Sequence, residues 1–384
     1  MAWVVILGAA KALKLENRGV ELKFYSLVYK NRGVQDVLVR LLGRTRRGII
    51  VFANVSMVAG FLMMGFGFWF LLNNVANFFI QPQSFAELTV LIPGVTLTSI
   101  DAIMYFLLSI PIVLVMHEGA HGIVAALEKI KIKTGGFAIF IAMFAGFVEP
   151  DEDEFNKAKK ISRLRVIGAG ATSNVIFALA LGLLLLTNPI FALVMPEPLL
   201  SAFYEIPDGV LVLSVIEGFG AEAAGIQPND IITHVNDVRT FTVIDFAALN
   251  LEPGDVVPIS VLRDGQSLDF VVEIMESPDE PGSGLIGIMR DVALYKPVLD
   301  FIAWDNHHLS MFLLWLWMIS FFIGIINMLP LPILDGGKFI QIIIEGRASE
   351  QTLTGIMYGI YIFTFVLFGL NIALSYLKSG FFTI

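Results

Sequence analysis

Cysteine is absent from the chain. Disulfides and thiolate-held metals are therefore excluded, and any metal must be taken by imidazole, carboxylate or other oxygen ligands. Charge is scarce as well: Asp, Glu, Lys and Arg make up 15% of the residues, against about a quarter in soluble proteins. With a mean hydropathy of +0.78, that scarcity excludes an ordinary soluble enzyme and implies a multi-span membrane protein. Nothing in the charge pattern points to a nucleic-acid partner. Residues 1–10 are apolar but too few to span a bilayer, and no small-residue cleavage site follows. They read as an interfacial stub or the remnant of a longer span, not as a cleavable signal peptide.

Histidine is also rare, and its placement is informative. Two of the five, His117 and His121, stand four apart inside a long apolar segment, with Glu118 between them. Residues four apart share one helix face, so both imidazoles reach one ion, while Glu118 lies about 100° round the helix, where it meets a water on that ion. Zinc hydrolases need this pattern, because the metal brings the pKa of its water near 7 and a carboxylate outside the ligand set takes the proton. The bland alternative is two polar residues on a packed helix face. A glutamate between two histidines in a membrane segment is costly, which weighs against it. His234, His307 and His308 read as ordinary domain or interfacial residues.

In chain order, residues 11–47 carry ten Lys or Arg and read as a solvated juxtamembrane segment, not a specific lipid site. Residues 49–72 hold no charge and form the first span. Leu91-Ile92-Pro93-Gly94-Val95 reads as a turn or shallow re-entrant loop. Residues 102–127 form the second span and contain the His-Glu-His motif, with Pro111 removing one helix hydrogen bond before it. Residues 130–134 alternate, Gly135-Gly136 reads as a turn, and 137–148 are apolar. We expect a β-hairpin dipping into the membrane, tolerated only where it lines a protein cavity; a loop lying at the interface is the alternative. The acidic run Asp151-Glu152-Asp153-Glu154 reads as solvated and not as a second metal site.

Residues 166–187 form the third span. It opens on Gly168-Ala169-Gly170-Ala171-Thr172-Ser173-Asn174, small residues that permit close helix approach. Asn174 either faces the site or serves helix packing. Residues 188–308 are the soluble region, with strand-like runs at 210–216, 231–235, 256–263 and 268–274. A glycine loop, Gly218-Phe219-Gly220, precedes a short helix at 221–224, and 243–249 reads as helical. The glycine pair is no dinucleotide fingerprint, because no long helix follows it. Residues 309–334 form the fourth span, ending in Asn327-Met328-Leu329-Pro330-Leu331-Pro332-Ile333-Leu334-Asp335-Gly336-Gly337. Its prolines break the helix, and an acid at that depth is a metal-ligand candidate. Residues 353–377 form the fifth span.

Placing the basic segments inside puts 10, 8 and 2 Lys or Arg on the inner side and 0, 4 and 1 on the outer, the asymmetry that orients membrane proteins. His117, His121 and Asp335 then share the inner half of the bilayer, and the β-rich module lies outside.

The paired motifs, His117-Glu118-x-x-His121 and Asn327-x-x-Pro330-x-Pro332-x-x-Asp335-Gly336, resemble the site-2 protease family of intramembrane zinc metalloproteases. The resemblance covers about residues 102–345. It implies one zinc ion held by His117, His121 and Asp335, Glu118 activating water, and Asn327 near the site, with Asn174, Pro330 and Gly336 as further candidates around it. The hairpin resembles the family's membrane-embedded sheet, which holds an unwound substrate by strand addition. The soluble module resembles a PDZ domain, with Gly218, Phe219 and Gly220 in its peptide-binding loop. Ala171 stands where many relatives have a proline before the Asn.

The fold expected is therefore a polytopic α-helical membrane protein of five to six spans, with a three-helix catalytic core, a membrane-embedded β-hairpin and an extracytoplasmic PDZ-like α+β domain. Its expected parts are 1–48 (stub and basic segment), 49–101 (first span and outer loop), 102–187 (catalytic core), 188–308 (outer region, PDZ-like at 208–276) and 309–384 (Asp-Gly span and last span). The function expected is zinc-dependent cleavage of single-span membrane proteins within the bilayer of the cell membrane. The resemblance implies a first cut by an outer-side protease, and the outer module would then filter the trimmed stubs. A non-catalytic membrane adaptor or chaperone with a structural metal site is the competing class. Glu118 discriminates, since a structural site has no use for a non-ligand carboxylate. A metal transporter would want a polar path, which the first and last spans do not offer.

Overall fold

The computed structural model describes residues 7–8, 10–31, 33–140, 143–205, 208–241, 245, 249, 251–277, 282–290, 295–304 and 306–380. Among these, five helices are long and apolar enough to cross a membrane, and they fall on the five expected spans. The chain divides into two compact units, residues 1–181 with 315–384 and residues 182–314.

The first unit begins with two strands, β1 (Val20–Lys23) and β2 (Ser26–Asn31), and then α1 (Val34–Ile80). Helix α1 is interrupted at Thr45, whose φ of −130° leaves the helical range, and its membrane-length part runs Thr45–Ile80. Helix α2 (Ile100–Leu127) starts at Ser99, whose side chain accepts the Ala102 N–H, and runs unbroken through Pro111 to carry the His-Glu-His motif. Strands β3 (Ile132–Phe140) and β4 (Met143–Pro150) follow, then α3 (Lys160–Leu185).

Two expectations need correction here. Gly135 and Gly136 are not a turn: both lie inside β3, paired with Val148 and Phe147 of β4, and the pairing continues to Phe140 and Met143. The glycine at 136 serves close approach, because an added Cβ there would collide with the Tyr29 carbonyl oxygen. The basic N-terminal segment is not simply solvated either. Its β1–β2 hairpin pairs with β3, giving a four-stranded antiparallel sheet in the order β1-β2-β3-β4. The partner strand lies about a hundred residues away in the chain, so no local pattern announces the pairing.

The acidic run is solvated as expected, with Glu152, Asp153 and Glu154 exposed, and it also serves the local fold. Asp151 caps the short helix Glu152–Lys157 by accepting the Glu154 N–H, and Glu154 accepts the Lys131 N–H.

The second unit is built around a six-stranded sheet. Strand β5 (Val210–Val215) leads into the short helix α4 (Gly220–Ala224), closed by Gly225 at φ +86°. Strands β6 (Ile231–Val235), β7 (Val238–Arg239), β8 (Val256–Arg263), β9 (Gln266–Glu273) and β10 (Ile288–Arg290) follow. The order is β9-β8-β6-β5-β10, with β7 on β6. Alternating Val and Ile from β5, β6, β8 and β9 build its core, including Val210, Val212, Ile232, Ile259 and Val261. The module extends past its expected end at 276, because β10 pairs with β5; three residues are too few to show a strand period. The helix expected at 243–249 lies, apart from Asp245 and Leu249, outside the described residues.

The first unit resumes at Trp315, within α5 (His307–Asn327), and continues through α6 (Asp335–Ile344) and α7 (Glu350–Ser379). The fourth span stops at Asn327, short of the expected 334, and Met328 to Leu334 form the non-helical corner that the prolines require. Met328, Phe339 and Ile342 pack that corner and α6 onto Met63, Met64, Leu164 and Ile167.

Candidate metal centre

Two helices distant in sequence supply the site. His117 and His121 come from one face of α2, and Asp335 is the first residue of α6. Asp335 Oδ2 lies 3.0 Å from His117 Nε2 and 3.1 Å from His121 Nε2, with the two Nε2 atoms 3.1 Å apart. The side chains are 6%, 11% and 15% exposed for His117, His121 and Asp335. Among the described residues this is the one group of three or more such donors able to hold a metal.

Helix α3 holds the imidazoles from behind. His121 Nδ1–H donates to the Val166 carbonyl at 2.7 Å, which turns the Nε2 lone pair toward the cluster. His117 Nδ1 lies 3.1 Å from Asn174 Nδ2, while Asn174 Oδ1 is buried without a partner. An amide turned end for end lets His117 Nδ1–H donate to Oδ1, satisfies the orphan oxygen and frees His117 Nε2 for a ligand. Asn174 thus faces the site. Its own backbone is fixed from α5, where Ser320 Oγ–H donates to the Asn174 carbonyl.

Space for an ion is left by Gly170. A Cβ added there would collide with the Nε2 atoms of both histidines. Two neutral imidazoles and a carboxylate, with no thiolate, suit a borderline divalent cation such as zinc. The residues present therefore fit the group that the motif implies.

Glu118 stands outside the donor group. Its Oε2 accepts the Val148 N–H of β4 at 2.8 Å, and among the described residues β4 pairs with β3 alone, so its other edge, which Glu118 meets at Val148, carries no further strand. Gly146 of β4 also lies against the Glu118 side chain, at 3.2 Å from its Cγ to an added Cβ.

The remaining candidates are placed differently. Gly336 is buried, and an added Cβ would collide with the Met328 and Leu329 carbonyls, so it lets α6 start tight beneath the corner and aim Asp335. Pro330 is buried in that corner, and Asn327 is the half-buried last residue of α5; neither joins the donor cluster. In the second unit, the Gly218 N–H donates to Glu222 Oε2 at 2.7 Å, Phe219 packs against Gly287, and Gly220 is buried, so the loop is held by internal contacts. Residues missed from sequence are Val166, which acts through its backbone, and Val148, whose N–H points away from β3; neither leaves a signal in side-chain identity.

Residues 105–368 match Peptidase family M50. The chain belongs to that family. Membership makes this M50 chain a multi-pass membrane metalloprotease of site-2 type. It is 25% identical to an uncharacterized protein of Methanocaldococcus jannaschii, across 87% of this chain and 80% of that protein. It is 29% identical to the zinc metalloprotease RasP of Oceanobacillus iheyensis, over 33% of this chain and 41% of RasP. The PDZ domain of an SdrC-like protein from Listeria monocytogenes matches 22% of this chain and 87% of that structure, with 23% identity and a TM-score of 0.20.

Proposed function

We propose that this M50 protein is a zinc-dependent endopeptidase that cuts transmembrane segments of single-span proteins inside the bilayer. The observation that carries the reading is the convergence of His117, His121 and Asp335, with donor atoms within 4.8 Å of one another, around the space kept by Gly170. Zinc held there supplies Lewis acidity and lowers the pKa of water to near 7.

The chain's own residues do the rest. A helical peptide bond in lipid is shielded by its own hydrogen bonds, so substrate must unwind and find new backbone partners. The open edge of β4 offers them by strand addition, and it ends beside Glu118. Glu118 takes the proton from the attacking water and returns one to the leaving amine. Asn174 and the Val166 carbonyl keep both imidazoles in the tautomer that ligates through Nε2. The excess of positive charge on one set of loops supports a cytoplasmic orientation for this site and an extracytoplasmic one for the second unit, whose proposed role is to admit stubs left by an earlier outer-side cut.

The test is metal content and cleavage of a model single-span substrate for wild type and Asp335→Ala. Wild type should carry one zinc per chain, and Asp335→Ala should lose both metal and activity. Stoichiometric zinc in the variant would remove Asp335 from the ligand set.

A further inference from the structure

The N-terminal segment combines exposed apolar groups with positive charge. At the β1–β2 turn, Phe24 is 84% and Tyr25 54% exposed. On α1 ahead of the break, Leu38 is buried, with Val34 and Leu42 packed beside it, and Gln35 accepts the Ile132 N–H. That arrangement turns Val37 and Leu41, four apart on one flank and 56% and 49% exposed, away from the core. Arg40, three positions after Val37, is exposed, as are Lys11, Lys14, Lys23, Arg46 and Arg47. Residues 11–47 hold ten cations against three acids.

The chain fixes where this surface sits. Helix α1 passes from the break at Thr45 directly into its membrane-length part, so the segment lies where the span leaves the bilayer. We propose that the hairpin tip and the first turns of α1 form a docking surface for anionic phospholipid headgroups of that leaflet. Aromatic tips and aliphatic flanks enter the headgroup boundary, while neighbouring Lys and Arg meet the negative surface. The surface is tied to the metal centre. Strand β2 pairs with β3 along Leu27 to Asn31, and Leu38 fills the space that a Cβ at Gly122 would enter, 2.7 Å away and next to His121. Headgroup contact therefore holds the sheet against α2, whatever chemistry the metal site performs.

Because the chain has no cysteine, Phe24→Cys and Leu41→Cys each accept a single spin label. The labelled full-length protein is reconstituted in vesicles of phosphatidylcholine, and in vesicles of three parts phosphatidylcholine to one part phosphatidylglycerol. Both labels should gain collisions with oxygen and lose them with an aqueous nickel complex in the anionic vesicles, and added salt should reverse the change. Combining Arg40→Gln, Arg46→Gln and Arg47→Gln should lower the docked-to-undocked ratio about fivefold per cation removed. The salt titration on the unsubstituted surface reads the same quantity without risk to folding. Labels that stay in water in anionic vesicles would overturn the proposal. Labels equally immersed in both lipids, and indifferent to salt, would overturn the headgroup assignment in favour of a purely apolar anchor.

Discussion

At the scale of single residues, the site is a set of lone pairs aimed at one point, and what aims them is as specific as the ligands. Gly170 matters because a side chain there would collide with the Nε2 atoms of His117 and His121 that would ligate the ion. Gly170→Ala should lower zinc affinity at least about tenfold, checked by competition with a chelator. Asn174→Ala should cost about 10- to 100-fold in zinc affinity, and Asn174→Asp, which still accepts from His117 Nδ1–H, should recover most of it. Equal losses in both variants would make Asn174 a packing residue. His117, His121, Glu118 and Asp335 were legible because helix spacing and the cost of burying charge leave few other reasons for them. Asn174 was legible only as two alternatives, facing the site or serving helix packing, between which the sequence does not choose. Val166 and Val148 were not, since a backbone carbonyl or N–H is common to all residues.

At the scale of elements, spans and the strands of the second unit could be read where the pattern is local: uncharged runs for the five helices, and alternation for β5, β6, β8 and β9. The four-stranded sheet of the first unit could be read only in part. Its β3–β4 half is local, but the pairing of β2 with β3 is not, and Gly135-Gly136 imitates a turn while serving a close strand approach. Gly136→Val should therefore push β2 away from β3 and destabilise the first unit by about 3 kcal/mol or more, read as a lower melting temperature of the purified protein. Retained stability and activity would mean that the N-terminal hairpin is dispensable to the sheet.

At the scale of the whole molecule, the two units offer separable perturbations. Asp230, 1% exposed, is bound bidentately by Arg263. Burial pushes its pKa up, but the Arg263 guanidinium and the Gln227 N–H outweigh that and hold it below the usual carboxylate range. The folded pKa thus lies below the unfolded value of about 4, so this stabilisation is complete above that pH and is lost as pH falls through the folded value. Asp230→Ala should destabilise the second unit by about 3 kcal/mol and flatten its melting temperature between pH 5 and pH 3, on the order of where carboxylates titrate. If the second unit filters substrates, the variant should also cleave untrimmed ones that wild type refuses, with zinc content unchanged. The central claim, a metal site whose adjacent carboxylate drives peptide hydrolysis, is tested most directly by measuring zinc content and substrate cleavage for wild type and Glu118→Gln in parallel. The account predicts zinc in both and cleavage in wild type alone; full cleavage by Glu118→Gln would contradict it.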